Sequence, residues 1–188
     1  MMLTYVTRFT VTAAFSCIAT TVGAQTPGAA APAAPVSVVV AKPTYTTIPL
    51  EIAVDRPAAD VWARIGKYCA ISEWLPIAKG CTMLSGVEGE VGSVRSIANE
   101  VLVGKSEFSY TYTQTPREGR PYNLYHGTLE VRPVTPKTSK IVYTLMYDNS
   151  MLPDDAAREK DKASRTAMFT GAINNMKILA EGGTLPPK

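Results

Sequence analysis

From residue 81 onward the chain alternates apolar and polar side chains with period two, while the two ends of the folded region carry helical spacing. Residues 81–84, 93–97, 107–113, 124–131 and 140–147 read as strands, with a further short one near 101–103. Gly, Pro or polar breaks separate most of them, as in an antiparallel meander. Upstream, residues 48–54 alternate partly and stop at Asp55-Arg56-Pro57. Proline suits the first turn of a helix, where its missing N–H would have no partner anyway. The next eight residues put Val61, Trp62 and Ile65 on one helical face. Gly66 weakens the helix end, and a second short turn spans residues 72–75 before Pro76. Near the other terminus Phe169, Ala172, Ile173, Met176 and Leu179 share one face of a long helix. Asp154 or Asp155 suits its N-cap, and Gly182-Gly183 with Pro186 ends it. The predicted chain is α+β. A strand and two short helices precede a curved antiparallel sheet, whose apolar face is covered by the long C-terminal helix with a cavity between them.

Residues 1–24 read as an export signal. Arg8 supplies the positive start, residues 9–22 are apolar or small without charge, and Val22-Gly23-Ala24 fits signal-peptidase cleavage between Ala24 and Gln25. The run is shorter than the roughly 20 apolar residues of a membrane span, and Cys17 lies inside it, a poor context for lipidation. No later segment is long and apolar enough to cross a bilayer. Residues 25–37 are rich in Ala and Pro and read as an extended tether. Residues 38–182 hold one folded domain by length, and 183–188 form a short tail. The expected location is periplasmic or secreted. There Cys69 and Cys81, the two cysteines left after cleavage, are expected to close a disulfide. Their spacing is far from a Cys-x-x-Cys redox motif. After cleavage 18 Lys/Arg stand against 16 Asp/Glu, dispersed along the chain. That balance gives no argument for nucleic acid.

Several segments together resemble the SRPBCC superfamily, the START-like helix-grip proteins that include polyketide cyclases/dehydrases and birch-pollen-allergen relatives. They are Asp55-Arg56-Pro57 with Val61-Trp62 and Ile65, Trp74-Leu75-Pro76, residues 89–95, Tyr110-Thr111-Tyr112, residues 125–131 and the closing amphipathic helix. The resemblance spans nearly the whole folded domain. It implies a helix-grip architecture with a ligand cavity between sheet and C-terminal helix. One departure bears on the third and fourth strands: the stretch between Arg95 and Tyr110 is shorter than in many relatives.

Alternation puts Phe108, Tyr110 and Tyr112 on one face of their strand. It does the same for Tyr125, Gly127, Leu129 and Val131, and for Tyr143, Leu145 and Tyr147. These are the natural inward faces. They build either an ordinary core or a cavity whose apolar walls carry hydroxyls that orient a polar group, and the resemblance favours the cavity. The candidate ligand-binding set is Trp74, Arg95, Phe108, Tyr110, Tyr112, Tyr125, Tyr143, Tyr147 and Phe169. Trp74 either plugs the end of the sheet, as the usual burial of Trp suggests, or forms part of the cavity entrance. Arg95 either pairs with an anionic head group or sits on the sheet surface. His126 alternates onto the opposite face with Thr128 and Glu130. It reads as a surface residue rather than a general base, unless a bulge reverses the register.

No metal or cofactor is expected. One histidine and two oxidised cysteines do not make a zinc set, and Asp154-Asp155 is a better helix start than a calcium site. Residues 86–92 lack the Gly-Lys-Ser/Thr ending of a phosphate loop, and there is neither a Gly-x-Ser-x-Gly elbow nor a nucleotide fingerprint. The expected function is an exported binder of a small hydrophobic or amphipathic molecule, a lipid or an aromatic metabolite. Two alternatives stand beside it. One is a polyketide-cyclase-type enzyme in which Tyr110, Tyr112, Tyr143 or Arg95 orients a substrate for proton transfer. The other is an envelope interaction protein with a collapsed cavity.

Overall fold

The computed structural model describes residue 40 and residues 42–187. The expected signal peptide, its cleavage site and the Ala/Pro-rich segment lie outside the described residues. Strand β1 (Tyr45–Val54) turns Ile48 and Val54 inward and leaves Pro49 exposed. It is an edge strand, where proline's missing N–H removes no essential ladder bond. Helix α1 (Ala58–Ile65) starts directly after Pro57 and ends at Gly66, as its sequence predicts. Val61 and Ile65 are buried, whereas Trp62 is half-buried. A 3₁₀ turn (Tyr68–Ala70) leads into α2 (Ile71–Trp74) and tucks Tyr68, Ile71 and Trp74 into the core.

The meander then runs through β2 (Met83–Ser85), β3 (Val94–Arg95), β4 (Glu100–Ser106), β5 (Ser109–Gln114), β6 (Asn123–Thr135) and β7 (Thr138–Asp148). All neighbours pair antiparallel, in the order β1-β7-β6-β5-β4-β3-β2, so the first strand closes the sheet beside the last. Helix α3 (Asp155–Ala180) crosses the inner face of the curved sheet. The Asp154 side chain caps it by accepting from the Ala157 N–H at 2.8 Å. The stripe from Phe169 to Leu179 packs into the core as the period of its apolar residues requires.

Four local details differ from the sequence pattern or decide between its readings. The strand expected at 93–97 shrinks to Val94–Arg95, and the short one near 101–103 lengthens to Glu100–Ser106. The cause is the turn between them. Ala98 (φ 50°) and Asn99 (φ 55°) both adopt the left-handed region, and the Ile97 carbonyl accepts from the Glu100 N–H at 2.9 Å. Asn tolerates that conformation, whereas Ala rarely adopts it. The tight reversal sets Arg95 directly opposite Glu100. Phe108 falls in the two-residue turn between β4 and β5, ahead of the strand expected to carry it. A bulge at Leu124 (φ 48°) shifts the register between Asn123 and His126. Tyr125, Gly127, Leu129 and Val131 nevertheless stay inward, while His126 points away from the core, opposite the exposed Met146.

Gly127 is the position where the sheet admits no side chain. It lies opposite Tyr112 in the β5–β6 register, and a Cβ there would fall inside the van der Waals envelope of the Tyr112 ring. The bare backbone lets Tyr112 cross β6 and bring its hydroxyl 2.9 Å from that of Tyr143 on β7.

Cys69 and Cys81 are joined by a disulfide. It links the 3₁₀ turn ahead of α2 to the chain two residues before β2. Trp74, 1% exposed, is enclosed close by, and the Asn175 side-chain amide donates to its carbonyl at 2.9 Å, tying α2 to α3. At the far end of α3, Glu181 accepts the Asp55 N–H (3.0 Å) and Lys177 Nζ (2.6 Å).

Two stability outcomes follow from this packing. Gly127→Ala should lower stability by about 1–3 kcal/mol, through overpacking against Tyr112. Gly171→Ala, where an added Cβ meets nothing within 4 Å, should gain about 0.5–1 kcal/mol from helix propensity. Thermal melts of the two variants check the contrast. Cys69→Ser should remove about 3 kcal/mol by the loop-closure relation and lower Tm by roughly 10 °C. An unchanged melting curve would show that the bond holds nothing in place.

Candidate functional site

Arg95 decides the character of the interior. It is 0% exposed, and a buried guanidinium is tolerated only when paired and hydrogen-bonded. Its Nε donates to Glu100 Oε2 at 2.7 Å, Nη2 lies 2.6 Å from the same oxygen, and Nη1 donates to the Tyr68 carbonyl at 2.5 Å. The Tyr68 and Tyr112 rings flank its Cζ at 4.1 and 4.7 Å, a cation–π cage on top of the ion pair. The surface alternative for Arg95 is therefore replaced by an inward one, because the tight 96–99 turn delivers Glu100 as its partner.

A hydrogen-bonded chain continues from this pair. Gln114 Nε2 donates to Glu100 Oε1 at 2.8 Å, the Tyr122 hydroxyl donates to Gln114 Oε1 at 2.8 Å, and Arg120 Nη1 donates to the Tyr122 hydroxyl. Burial pushes the Glu100 carboxyl above the usual carboxylate range, opposed by the Arg95 guanidinium and the Gln114 amide.

Beside this chain the tyrosines expected to line an open cavity pack on one another. Tyr110, Tyr112, Tyr125 and Tyr147 follow in sequence across the sheet, with neighbouring ring centroids 6.5, 6.3 and 5.9 Å apart. Tyr143 stacks at 4.9 Å on Phe169 of α3 and meets Trp74 edge-on at 6.1 Å. In this conformation the rings themselves occupy the space between sheet and helix. Burial raises the Tyr68, Tyr110, Tyr112, Tyr125, Tyr143 and Tyr147 hydroxyls above the ordinary tyrosine range. Arg95 pulls the other way at Tyr68 and Tyr110, and Arg165 does so at Tyr125. These phenols therefore stay neutral near pH 7.

The end nearest the N-terminal half of α3 is polar. Tyr147 donates to Asp161 Oδ2 at 2.8 Å, and Arg165 Nε reaches both Asp161 oxygens at 3.0–3.1 Å. The Arg165 guanidinium sits over the Tyr122 and Tyr147 rings at 4.5 and 4.6 Å.

Of the residues predicted from sequence, Trp74, Arg95, Tyr110, Tyr112, Tyr125, Tyr143, Tyr147 and Phe169 converge on this interior. Phe108 stands apart, packed against the core from the β4–β5 turn next to residues 130–133. Trp74 is enclosed, the plug rather than the doorway. His126 Nδ1 lies 2.9 Å from the Leu124 carbonyl, so it braces the bulge. Tyr68, Glu100, Gln114, Tyr122, Asp161 and Arg165 were not singled out from the pattern. For two of them a signal exists: Asp161 and Arg165 precede Phe169 at intervals of four, extending the inward stripe of α3 by two turns. Among the described residues no group of three His, Cys, Asp or Glu side chains is placed to hold a metal.

A long helix gripped by a curved antiparallel sheet, over an interior lined with aromatic rings, defines a helix-grip protein. The family model described as polyketide cyclase/dehydrase and lipid transport matches residues 45–181. The chain belongs to that family, within the SRPBCC superfamily. No match is found among curated proteins. Among solved structures, one from Thermobifida fusca shares 24% identity at a TM-score of 0.56, covering 76% of this chain and 99% of its own. The Zhui aromatase/cyclase from Streptomyces sp. R1128 shares 15% at 0.56, covering 75% and 100%. A START superfamily protein from Mycobacterium smegmatis shares 14% at 0.51, covering 70% and 94%. At these identities the likeness is one of fold.

The raised tyrosine pKa values set the response to alkali. The folded state keeps protons that the unfolded chain releases. The stability they represent is complete below about pH 10 and lost as pH rises above it. A spectrophotometric titration should show the phenolate signal of these six rings appearing together with loss of tertiary circular dichroism above pH 10. Ionisation of all six in a still-folded protein near pH 10 would contradict their burial.

Proposed function

We propose that the protein is an exported binder of a small hydrophobic or amphipathic molecule, a lipid or an aromatic metabolite, held between the sheet and α3. The observation that carries this reading is a set of buried polar atoms without hydrogen-bond partners, among which two aromatic donors face the space between sheet and helix. The Tyr68 hydroxyl and the Trp74 indole N–H are both buried and have no hydrogen-bond partner among the described residues; the Tyr110 hydroxyl, Ser93 Oγ, Arg95 Nη2 and Asn149 Oδ1 complete the set. Buried donors are almost always paired, and leaving one unpaired costs about 1–3 kcal/mol. A polar group of a bound molecule is a natural acceptor for them. The family description, which includes lipid transport, and the likeness to a START superfamily protein support the same reading. The rings pack on one another across this space, so a guest would need them to rotate apart.

The catalytic alternative is less favoured, although similar folds include two named aromatase/cyclases and one named a norcoclaurine synthase. Glu100 is the carboxylate at the heart of the cluster, and both its oxygens are engaged by Arg95 and Gln114. With the tyrosines neutral, no group there is poised to take a proton. Export is supported by the Cys69–Cys81 disulfide, which persists in oxidising compartments. Among the described residues no helix is long and apolar enough to cross a membrane.

Native mass spectrometry of the protein recovered from the periplasm of its own cells tests both parts. The chain should begin at Gln25 and carry a small hydrophobic adduct. Tyr68→Phe removes an unsatisfied hydroxyl while keeping the ring on Arg95. It should therefore raise Tm by a few degrees and reduce the adduct-bearing fraction. A lowered Tm with the adduct undiminished would count against the proposed role of that hydroxyl. A bare chain in every preparation would sink the binding reading and favour the interaction protein with a collapsed cavity.

A further inference from the structure

Arg165 differs from the other guanidiniums of the interior in how its donors are used. An arginine carries five N–H groups in a planar fork. Arg95 directs its nitrogens to Glu100 and the Tyr68 carbonyl. Arg158, earlier on α3, reaches Asp155 and the Leu152 carbonyl. Arg165 offers Asp161 only its Nε, and neither of its terminal nitrogens meets an acceptor among the described residues. Its side chain is 16% exposed, and three rings (Tyr122, Tyr125 and Tyr147) hold the guanidinium within 4.5–5.6 Å of their centroids. The fork is therefore held in place and largely desolvated, with its terminal nitrogens unengaged.

A second guanidinium stands next to it. Arg120, on the connection between β5 and β6, lies 5.3 Å from the centroid of the same Tyr122 ring and donates to the Tyr122 hydroxyl. Glu100 is matched to Arg95 and Asp161 to Arg165, while Arg120 has no ion-pair partner among the described residues. Three guanidiniums facing two carboxylates leave one positive charge uncompensated. Arg117 and Glu118, both exposed on the same connection, add one charge of each sign. A cleft of about 10 Å³ lies beside Arg120, Tyr122 and Tyr125, room for about one water. Behind it the tyrosines lead inward to Tyr143 and Phe169.

We propose that Arg165, with Arg120 beside it, receives the oxyanion head, a carboxylate or phosphate, of an amphiphile whose apolar part lies inward among the tyrosines. This inference rests on the binding reading above. A planar guanidinium with two free terminal nitrogens matches an oxyanion bidentately. The uncompensated charge of Arg120 favours an anion over a neutral head, and the position at the rim lets the head keep part of its hydration while the tail leaves water. Asp161 is a positioning residue: it orients the fork through Nε and binds Tyr147, which holds the ring bed on which the fork rests.

Isothermal titration of the mature chain with dodecanoate, dodecyl phosphate and dodecanol at low salt tests the proposal. One of the two anions should bind about tenfold or more tighter than dodecanol, the worth of a charge-assisted hydrogen bond in a partly desolvated site. Whichever anion is preferred assigns the head as carboxylate or phosphate. Arg165→Gln should cut anion affinity about tenfold and lower dodecanol affinity much less. Arg120→Gln, at a site with no ion-pair partner to strand, should act in the same direction with less risk to the fold. Equal binding of dodecanol and both anions by the unmodified chain overturns the anion site and leaves the binding reading intact. Binding of none of the three, while the fold is intact by circular dichroism, overturns the anion site, and the binding reading falls with it only if the chain is also bare in the native mass spectrum.

Discussion

Burying the positive charge of Arg95 is the constraint around which the interior is organised. Exposed pairs such as Arg64–Glu73, with side chains 40% and 48% exposed, contribute at most about 1 kcal/mol. An ion pair without water is different, since stranding one partner costs about 3–5 kcal/mol, against a total stability of about 5–15 kcal/mol for a domain. Every element that touches Arg95 is arranged to avoid that outcome. The left-handed turn at Ala98-Asn99 delivers Glu100, β5 supplies Gln114 to its second oxygen, and the segment fixed by the disulfide presents the Tyr68 carbonyl. The tyrosine rings then close over a charge that is already paired.

Saturation at one point and deficit at another shape what the interior can do. Both Glu100 oxygens are engaged, by Arg95 and by Gln114, and burial keeps the phenols around it protonated. The Tyr68 hydroxyl and the Trp74 indole, left without partners, are the counterpart. They are two of six buried side-chain atoms without a hydrogen-bond partner among the described residues, and each such atom costs stability. The rim repeats this logic with a charge in place of a dipole.

Period-two alternation made the inward faces legible, and with them most of the aromatic interior, because a strand residue cannot change face without a slip of the whole register. The bulge at Leu124 tested that logic, and the alternation from Tyr125 onward survived it. The short connection between Arg95 and Tyr110 was harder to read. Two left-handed residues in a row, one of them alanine, are not announced by composition. Without that turn Glu100 could not be matched to Arg95, and an unmatched arginine reads equally well as a surface cation. Asp161 and Arg165 occupy inward positions by spacing, yet a search for apolar stripes passes over them because they are charged. The Gly127–Tyr112 approach depends on a cross-strand register that no single segment contains.

The first strand of this sheet is completed by the last. Tyr45 pairs with Asp148, the Thr44 N–H reaches the Asp148 carboxylate 104 positions away, and Asp55 is clasped by Glu181 across 126. Loop-closure entropy must be met before such contacts return anything, so folds of this connectivity form slowly. The edge beside β7 cannot close until nearly the whole domain is available, and α3, which covers the sheet, comes last of all. A chain wired in this way stays threadable through most of its synthesis.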